Sequence, residues 1–245
     1  MRTALGSFVA LALALALSPA CSRRSGPSAT KAPSAVPAAI VEVSGGKQVT
    51  TIGTPLDQPL VVQINDARGA AVAGASVWFR SANGVTFLPD FGVTGSDGQF
   101  TTAVTIGSLE GRYQIAAATS GAGGKTVQVR IEELALGYQQ NQGRQLSDFY
   151  CARCHDPEST PERVSNHDNL VAQAHAFSDG AFLNKMSDAD LRSIIAHGGP
   201  ALGQSAEMPA YGRTLKRADI DALLAYIRAM ADPPYQPSEV VYAQR

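Results

Sequence analysis

The chain has 245 residues, a formal net charge of −1 at pH 7 and a pI of about 6.4. This near-neutral balance offers no basic surface of the kind that binds nucleic acid, so we expect no nucleic-acid partner. The length is sufficient for two domains of modest size.

Residues 1–21 are predicted to form an export signal. Arg2 supplies a positive charge, and the apolar run from Leu5 to Leu17 is too short to span a bilayer comfortably. The segment ends in small residues before Cys21 and resembles a bacterial lipoprotein signal, in which Cys21 becomes the lipidated first residue. The family usually has Leu three residues before the Cys, and Ser18 stands there in this chain.

The alternative is ordinary cleavage after Ala20, which leaves a soluble periplasmic protein with a free thiol at Cys21. An unpaired thiol is a liability in an exported protein, so we favour lipidation. Both alternatives export the chain. Lipidation also predicts an anchor that holds the protein to the periplasmic side of a bacterial membrane or to the outer membrane.

Two further segments follow the signal. Residues 22–39 are rich in Ser, Ala and Pro and have almost no large apolar side chains, which predicts a disordered tether. Residues 40–131 show an apolar period of two, as in the strand pattern Phe100, Thr102, Val104 and Ile106. Turn sequences separate such strands, which predicts an all-β sandwich of about seven strands. We interpret Trp78 as a core or sheet-surface aromatic.

The β segment resembles the bacterial Ig-like domains of invasin and intimin. The resemblance rests on the strand–turn–strand residues 66–77, on the run Gly95–Thr101 and on the strand Glu110–Ala117. It implies a rigid spacer or an adhesion module without catalytic residues, since fold alone does not determine function.

Residues 151–155 read Cys151-Ala-Arg-Cys154-His155, the attachment pattern of a c-type haem. The two thiols add to the haem vinyl groups as thioethers, and the adjacent imidazole reaches the iron as an axial ligand. A bare Cys-x-x-Cys is also compatible with zinc or a redox dithiol. The following His, and the lack of a second Cys pair in the sequence, favour one covalent haem c.

Residues 132–232 have the pattern of an all-α domain, and residues 233–245 form a C-terminal tail. A helix is predicted to lead into Cys151, and Ser187 with Asp190 forms the capping box of a second helix. The last helix has an apolar stripe at Ile220, Leu223, Leu224 and Ile227.

This helical segment resembles the class I cytochrome c domain. The matching parts are Gly143 in the N-terminal helix, residues 151–155, the loop around Met208-Pro209 and the final helix. The resemblance implies that Gly143 lies where the first and last helices cross closely. It also implies that Met208 is the sixth iron ligand opposite His155.

The segment departs from the family pattern at several positions. Ser147 replaces the usual aromatic before the first Cys, and Lys216 replaces the usual Ser or Thr cap. No residue is assigned from the sequence to the loop Pro whose carbonyl orients the proximal His in the family. Phe149, Tyr150 and Tyr226 are expected to pack against the haem or the helix crossing.

A thioether opposite an imidazole saturates the iron and raises its potential, which suits an electron carrier. We favour core or surface roles for the other candidate ligands, which are Met186, Met230, His167, His175 and His197. The expected protein is therefore an exported cytochrome that exchanges electrons with redox partner proteins. The alternatives are a haem subunit of a periplasmic dehydrogenase or reductase complex, and an adhesion or scaffold module with a sensory haem.

Overall fold

The computed structural model describes residues 33–157 and 164–236. The predicted signal with Cys21 lies outside these residues, as do most of the predicted tether and of the C-terminal tail. Within the described residues, no helix is both long and apolar enough to cross a membrane.

The N-terminal part is a β domain of two packed sheets. Nine strands are described within residues 33–136: β1 Ala39–Ser44, β2 Val49–Thr51, β3 Leu60–Asn65, β4 Ser76–Ser81, β5 Thr86–Leu88, β6 Phe91–Val93, β7 Gln99–Thr105, β8 Gly111–Ser120 and β9 Thr126–Leu136. One sheet has the order β1-β3-β7-β5 and the other the order β2-β9-β8-β4-β6. Neighbouring strands are antiparallel, except that β2 pairs with β9 in parallel. Three-residue strands such as β2 carry too little pattern to be predicted, which is why about seven were expected.

The core of the β domain lies between the two sheets. Along β3, Leu60, Val62 and Ile64 are fully buried while the residues between them are partly exposed. Val77 and Ile115 complete the same core from the opposite sheet. Alternation of this kind places every second side chain inside, so the two sheets form a sandwich as the period of two predicts.

The last strand continues past the predicted domain boundary at residue 131. β9 runs to Leu136, and Gly137 alone separates it from the first helix. The acidic pair Glu132 and Glu133 interrupts the apolar alternation, so the sequence pattern suggested an earlier end. In the structure Glu133 is fully buried, and its carboxylate accepts a hydrogen bond from the Gln48 backbone at 2.7 Å.

The C-terminal part is helical. Its helices are α1 Tyr138–Tyr150, α2 Ala152–His155, α3 Gly180–Leu183, α4 Asp188–His197 and α5 Arg217–Met230. An isolated β-bridge between Asp179 and Asp232 adds the only extended pairing seen in the described helical residues. The prediction of a β domain followed by a helical domain is therefore confirmed, with this small exception to an all-α description.

Helix α1 crosses α5 at a glycine. A Cβ atom at Gly143 would clash with the Ala222 carbonyl oxygen and lie 2.7 Å from the Tyr226 Cβ. Only a residue without a side chain permits this approach. The structure thus places Gly143 at the helix crossing that the resemblance implied.

Local capping fixes the ends of the long helices. The Ser187 hydroxyl accepts from the Asp190 backbone at 3.1 Å, and Gly198 ends α4 with a φ of 83°. At α5 the Asp219 carboxylate accepts from the Lys216 backbone at 3.0 Å, which compensates for the missing Ser or Thr cap.

The two domains contact each other through arginines. Arg112 of β8 donates to the Ala231 carbonyl oxygen, just after α5, at 2.9 Å. Arg144 of α1 donates to the Val49 carbonyl oxygen of β2 at 3.2 Å. Together with the one-residue connection at Gly137, these bonds hold the helical domain against the end of the sandwich.

Candidate haem site

A large cavity opens in the helical domain. It contains about 1240 Å³ of space, part of it open to solvent. Its walls are mostly apolar, and α3, α4 and α5 contribute Leu183, Leu191, Ile195, Leu223 and Ile227. The residues that the sequence assigned to the haem all line this cavity: Cys151, Cys154, His155 and Met208.

The attachment segment, residues 151–155, follows the C-terminal end of α1 directly. The Cys151 backbone N–H donates to the Ser147 carbonyl oxygen at 2.8 Å, and the His155 N–H donates to the Cys151 carbonyl oxygen at 3.0 Å. One turn of helix therefore carries both thiols and the imidazole. The two cysteines are not joined to each other, and burial raises the pKa of the Cys151 thiol to about 12. The sulfur thus stays protonated at neutral pH.

His155 is fixed in one tautomer and one orientation. Its Nδ1 lies 2.7 Å from the His175 carbonyl oxygen, which can only accept, so Nδ1 carries the proton. The ring also stacks on Phe177, with centroids 4.8 Å apart. Burial lowers the pKa of His155, which keeps the imidazole neutral. Nε2 is left with a free lone pair, as an iron ligand requires.

His175 is itself tightly held. Its ring stacks on Phe182 with centroids 3.5 Å apart, and its Nδ1 lies 2.8 Å from an Asp179 carboxylate oxygen. The other Asp179 oxygen accepts from the Phe182 backbone at 3.1 Å and caps α3. The hydrogen bond from His175 holds the pKa of Asp179 below its usual value. The sequence did not predict that the His175 carbonyl oxygen orients His155, because the family uses a proline carbonyl for this purpose. The one signal for it in the sequence was the short Asp179-x-x-Phe182 helix cap.

Met208 lies in a loop that packs closely against the backbone of Gly198 and Gly199. Its carbonyl oxygen accepts from Gly199 N at 3.1 Å, and its own N–H donates to Ser205 at 3.3 Å. A Cβ at Gly198, whose φ is 83°, would lie 2.9 Å from the Met208 carbonyl oxygen. Nearby, the Tyr211 hydroxyl donates to the Tyr150 carbonyl oxygen at 2.8 Å and ties this loop to the end of α1.

Two of the other candidate ligands also face the cavity. Met186 and His175 are among its lining residues, whereas Met230, His167 and His197 are not. Met186 lies in the bend between α3 and α4, and Arg228 donates to its carbonyl oxygen at 2.7 Å. A second thioether therefore lines the site. The imidazole of His167 is already engaged, with Nε2 2.9 Å from the Ala174 carbonyl oxygen.

The aromatic residues near the motif have different environments. Tyr150 lines the cavity, and Tyr226 packs at the α1–α5 crossing, where burial raises its pKa to about 12. Phe149 was expected to pack inside, but its side chain is 80% exposed and rests edge-on against Tyr150. The expectation for Phe149 is wrong because α1 turns this position away from α5 and toward solvent.

The residues present fit a c-type haem. Apolar walls suit the macrocycle, the two cysteines lie at the rim, and His155 presents an unprotonated Nε2. The thioether of Met208, a soft neutral ligand, lines the same space.

This fold and this cavity define a c-type cytochrome domain. Residues 139–227, about a third of the chain, match the family described as cytochrome C oxidase, cbb3-type, subunit III, so a cytochrome c domain follows the β domain. Domains of this kind carry electrons on a covalently bound haem c. The comparison with curated proteins returned no match.

The β domain resembles Ig-like domains of bacterial surface proteins. The D00–D0 domain of Intimin is 12% identical with a TM-score of 0.30, over 45% of this chain and 51% of that structure. The Yersinia pseudotuberculosis adhesin InvE is 17% identical with a TM-score of 0.30, over 38% and 30%. Invasin, a bacterial integrin-binding protein, is 19% identical with a TM-score of 0.30, over 40% and 19%. The chain spans about half or less of these structures, and we base no functional conclusion on them.

Proposed function

We propose that the protein is an exported one-electron carrier with a single haem c. Cys151 and Cys154 would hold the haem covalently, and His155 and Met208 would bind its iron. The observation that supports this proposal is the convergence of all four residues on one largely apolar cavity. When bound there, the haem supplies a one-electron couple that no side chain of the protein could provide.

The protein side of the site sets the properties of that couple. The His175 carbonyl oxygen holds the Nδ1 proton of His155, which orients the ring and makes Nε2 a stronger donor. The neutral sulfur of Met208 favours the reduced state and raises the potential. The apolar side chains that line most of the cavity would lower the polarity around the haem, which further disfavours the more highly charged oxidised form. These contributions together suit fast electron exchange without binding of a substrate.

We also propose where the carrier works. The signal-like segment and Cys21 would place it on the periplasmic side of a bacterial membrane or on the outer membrane, held by lipid. Its partners would be redox proteins, including a dehydrogenase or reductase whose active site lies on another chain. Replacing Cys21 with Ser should move the protein from the membrane fraction to the soluble fraction. A native protein that is already soluble contradicts the anchor.

The test of the electron-carrier proposal uses the purified holoprotein. Haem should remain with the chain after acid–solvent extraction, with a stoichiometry of one, because the sequence contains a single Cys-x-x-Cys-His. Met208→Ala should lower the midpoint potential by roughly 100 mV or more, given the range that axial ligands span. The variant should also lose the sulfur-to-iron absorption band and bind carbon monoxide, which the native protein should not bind.

Two matched methionines serve as controls. Met186→Ala alters the other thioether of the cavity, and Met230→Ala alters a methionine of α5 outside the cavity lining. Neither variant should lose the absorption band. If Met186→Ala or a His175 variant abolishes the native spectrum while Met208→Ala keeps it, the ligand assignment is wrong. If the native protein binds carbon monoxide readily, the electron-carrier proposal is wrong and the alternative of a sensory haem is favoured.

A further inference from the structure

A second candidate site lies on the sandwich, on the outer face of the five-stranded sheet. Residues paired directly across neighbouring strands have side chains on the same face. The core residues of this sheet, such as Val77 and Ile115, point inward, so the residues between them point to solvent. Two neighbouring outward rows run across β4, β8 and β9: Trp78–Ala118–Gln128 and Arg80–Ala116–Arg130.

These rows form a groove because the middle strand contributes only alanines. Ala118 and Ala116 of β8 make the floor, and Ala118 is only 4% exposed. Larger side chains from β4 and β9 stand on either side. The depression is lined by Trp78, Arg80, Ala116, Ala118, Thr126 and Gln128. We call this depression the outer groove. Its walls stand on strands two apart, so they are about 10 Å from each other, enough for one extended chain.

One wall of the outer groove is aromatic. Trp78 is partly exposed and lines the groove. Phe91 of β6 pairs directly with Trp78 and is 57% exposed. Two aromatic side chains therefore lie next to each other on the same face and provide a flat apolar surface.

The other feature of the outer groove is unpaired positive charge. Arg80 lines the outer groove, and Arg130 lies outside this lining on the opposite side of Ala116. Both are exposed, and neither forms an ion pair in the described part of the chain. The nearest acidic residue along the outer face of β9 is Glu132. Its carboxylate is already bound by Arg112 and by Gln114, so it leaves the two guanidinium groups free.

We propose that the outer groove binds an acidic glycan, a sugar chain that carries carboxylates. The flat face of a sugar ring packs on an indole through its C–H groups, and a guanidinium binds a carboxylate through two parallel hydrogen bonds. Gln128 and Thr126 add an amide and a hydroxyl for the sugar hydroxyl groups. A neutral glycan would leave Arg80 in the groove and Arg130 beside it without partners, so an acidic glycan is the class that matches the charge of this face.

The experiment measures binding of oligogalacturonate to the full-length holoprotein by titration calorimetry at low ionic strength. Binding of this probe, and none of the neutral oligomer maltohexaose, is expected. Trp78→Ala and the double variant Arg80→Gln/Arg130→Gln should each weaken binding by about tenfold or more. Arg68→Gln, at an exposed arginine of the β3–β4 turn, should leave binding unchanged.

Three results would overturn the proposal. The first is absence of oligogalacturonate binding by a native protein whose haem spectrum and circular dichroism are normal. The second is equal loss of affinity in the Arg68→Gln control, which means that general surface charge carries the binding. The third is an oligogalacturonate affinity that Trp78→Ala does not change, together with equal binding of inorganic polyphosphate. This result would mean that the groove binds any anion and does not recognise the sugar.

Discussion

The two domains differ in how their cores are completed. The sandwich core is closed by its own side chains, with Leu60, Ile64 and Ile115 fully buried between the sheets. In the helical domain, most of the buried core also borders the cavity, including Leu191, Leu223 and Ile227. The sandwich can therefore be stable by itself, whereas the helical domain needs a large apolar group to complete its packing.

The largest expected effect comes from preventing haem attachment, which tests whether only the helical domain needs the haem for its packing. In the double variant Cys151→Ser/Cys154→Ser, the helical domain should lose its ordered packing because the cavity stays unfilled. The sandwich, which contains neither cysteine, should keep a cooperative melt within about 5 °C of its native midpoint. Far-UV circular dichroism separates the helical signal from the β signal. An unchanged helical signal without haem would show that the helical core suffices alone.

The helix crossing tests the helical domain without touching the haem. Gly143→Ala places a methyl group against the Ala222 backbone, which cannot move aside as a flexible side chain can. We expect a loss of about 3 kcal/mol in the free energy of unfolding of the helical domain, with the sandwich unaffected. Gln145→Ala, at an exposed position of the same helix, is the control and should change stability by less than about 0.5 kcal/mol. Similar losses in the free energy of unfolding of both variants would show that the glycine at the crossing has no special role in stability.

The buried carboxyl of the sandwich gives the corresponding test of the β domain. Burial raises the pKa of Glu133 from 4.5 to about 7, so the folded state keeps a proton that the unfolded chain releases. The contribution of this group to stability is complete below pH 4.5 and is lost as the pH rises through about 7. Glu133→Gln keeps an acceptor for the Gln48 N–H and removes the charge. It should stabilise the sandwich at pH 8 by on the order of 2 kcal/mol and flatten its pH dependence. Thermal melts between pH 5 and 8 measure this, and a native midpoint that is constant over that range contradicts it.

The smallest expected effect comes from the support of the proximal imidazole. Asp179→Asn weakens the anchor of His175, so the carbonyl that holds His155 becomes less fixed. A weaker hydrogen bond at Nδ1 makes Nε2 a poorer donor, and the midpoint potential should rise by on the order of tens of millivolts. Asp168→Asn changes a similar His–Asp pair at His167 that does not hold His155. A redox titration of both variants checks this, and equal shifts would argue against a specific positioning role.

The local parts of the site could be predicted from the sequence, and the non-local parts could not. The five residues 151–155 and the small residue at 143 depend on spacing along a short stretch of chain, which the sequence displays directly. The His175 carbonyl and the position of Met186 at the cavity depend on contacts between distant segments. A backbone carbonyl has no sequence signature of its own, because every residue carries one.

The same distinction applies to the fold. Alternation predicted strands such as β7, where Thr102 and Val104 are buried and Ala103 between them is exposed. The end of β9 could not be predicted because its last residues, Leu134 to Leu136, are all buried and no longer alternate. The exposure of Phe149 followed from the rotation of α1, which depends on how closely Gly143 approaches α5.

The one-residue connection at Gly137 has a consequence for how the two domains move. The described residues 33–157 and 164–236 belong to one compact unit, and hydrogen bonds from Arg112 and Arg144 hold the junction in addition to the chain itself. These two hydrogen bonds and the one-residue connection restrict how far the two domains can reorient relative to each other. A surface that immobilised the sandwich would therefore also limit the orientations that the helical domain and its cavity can take.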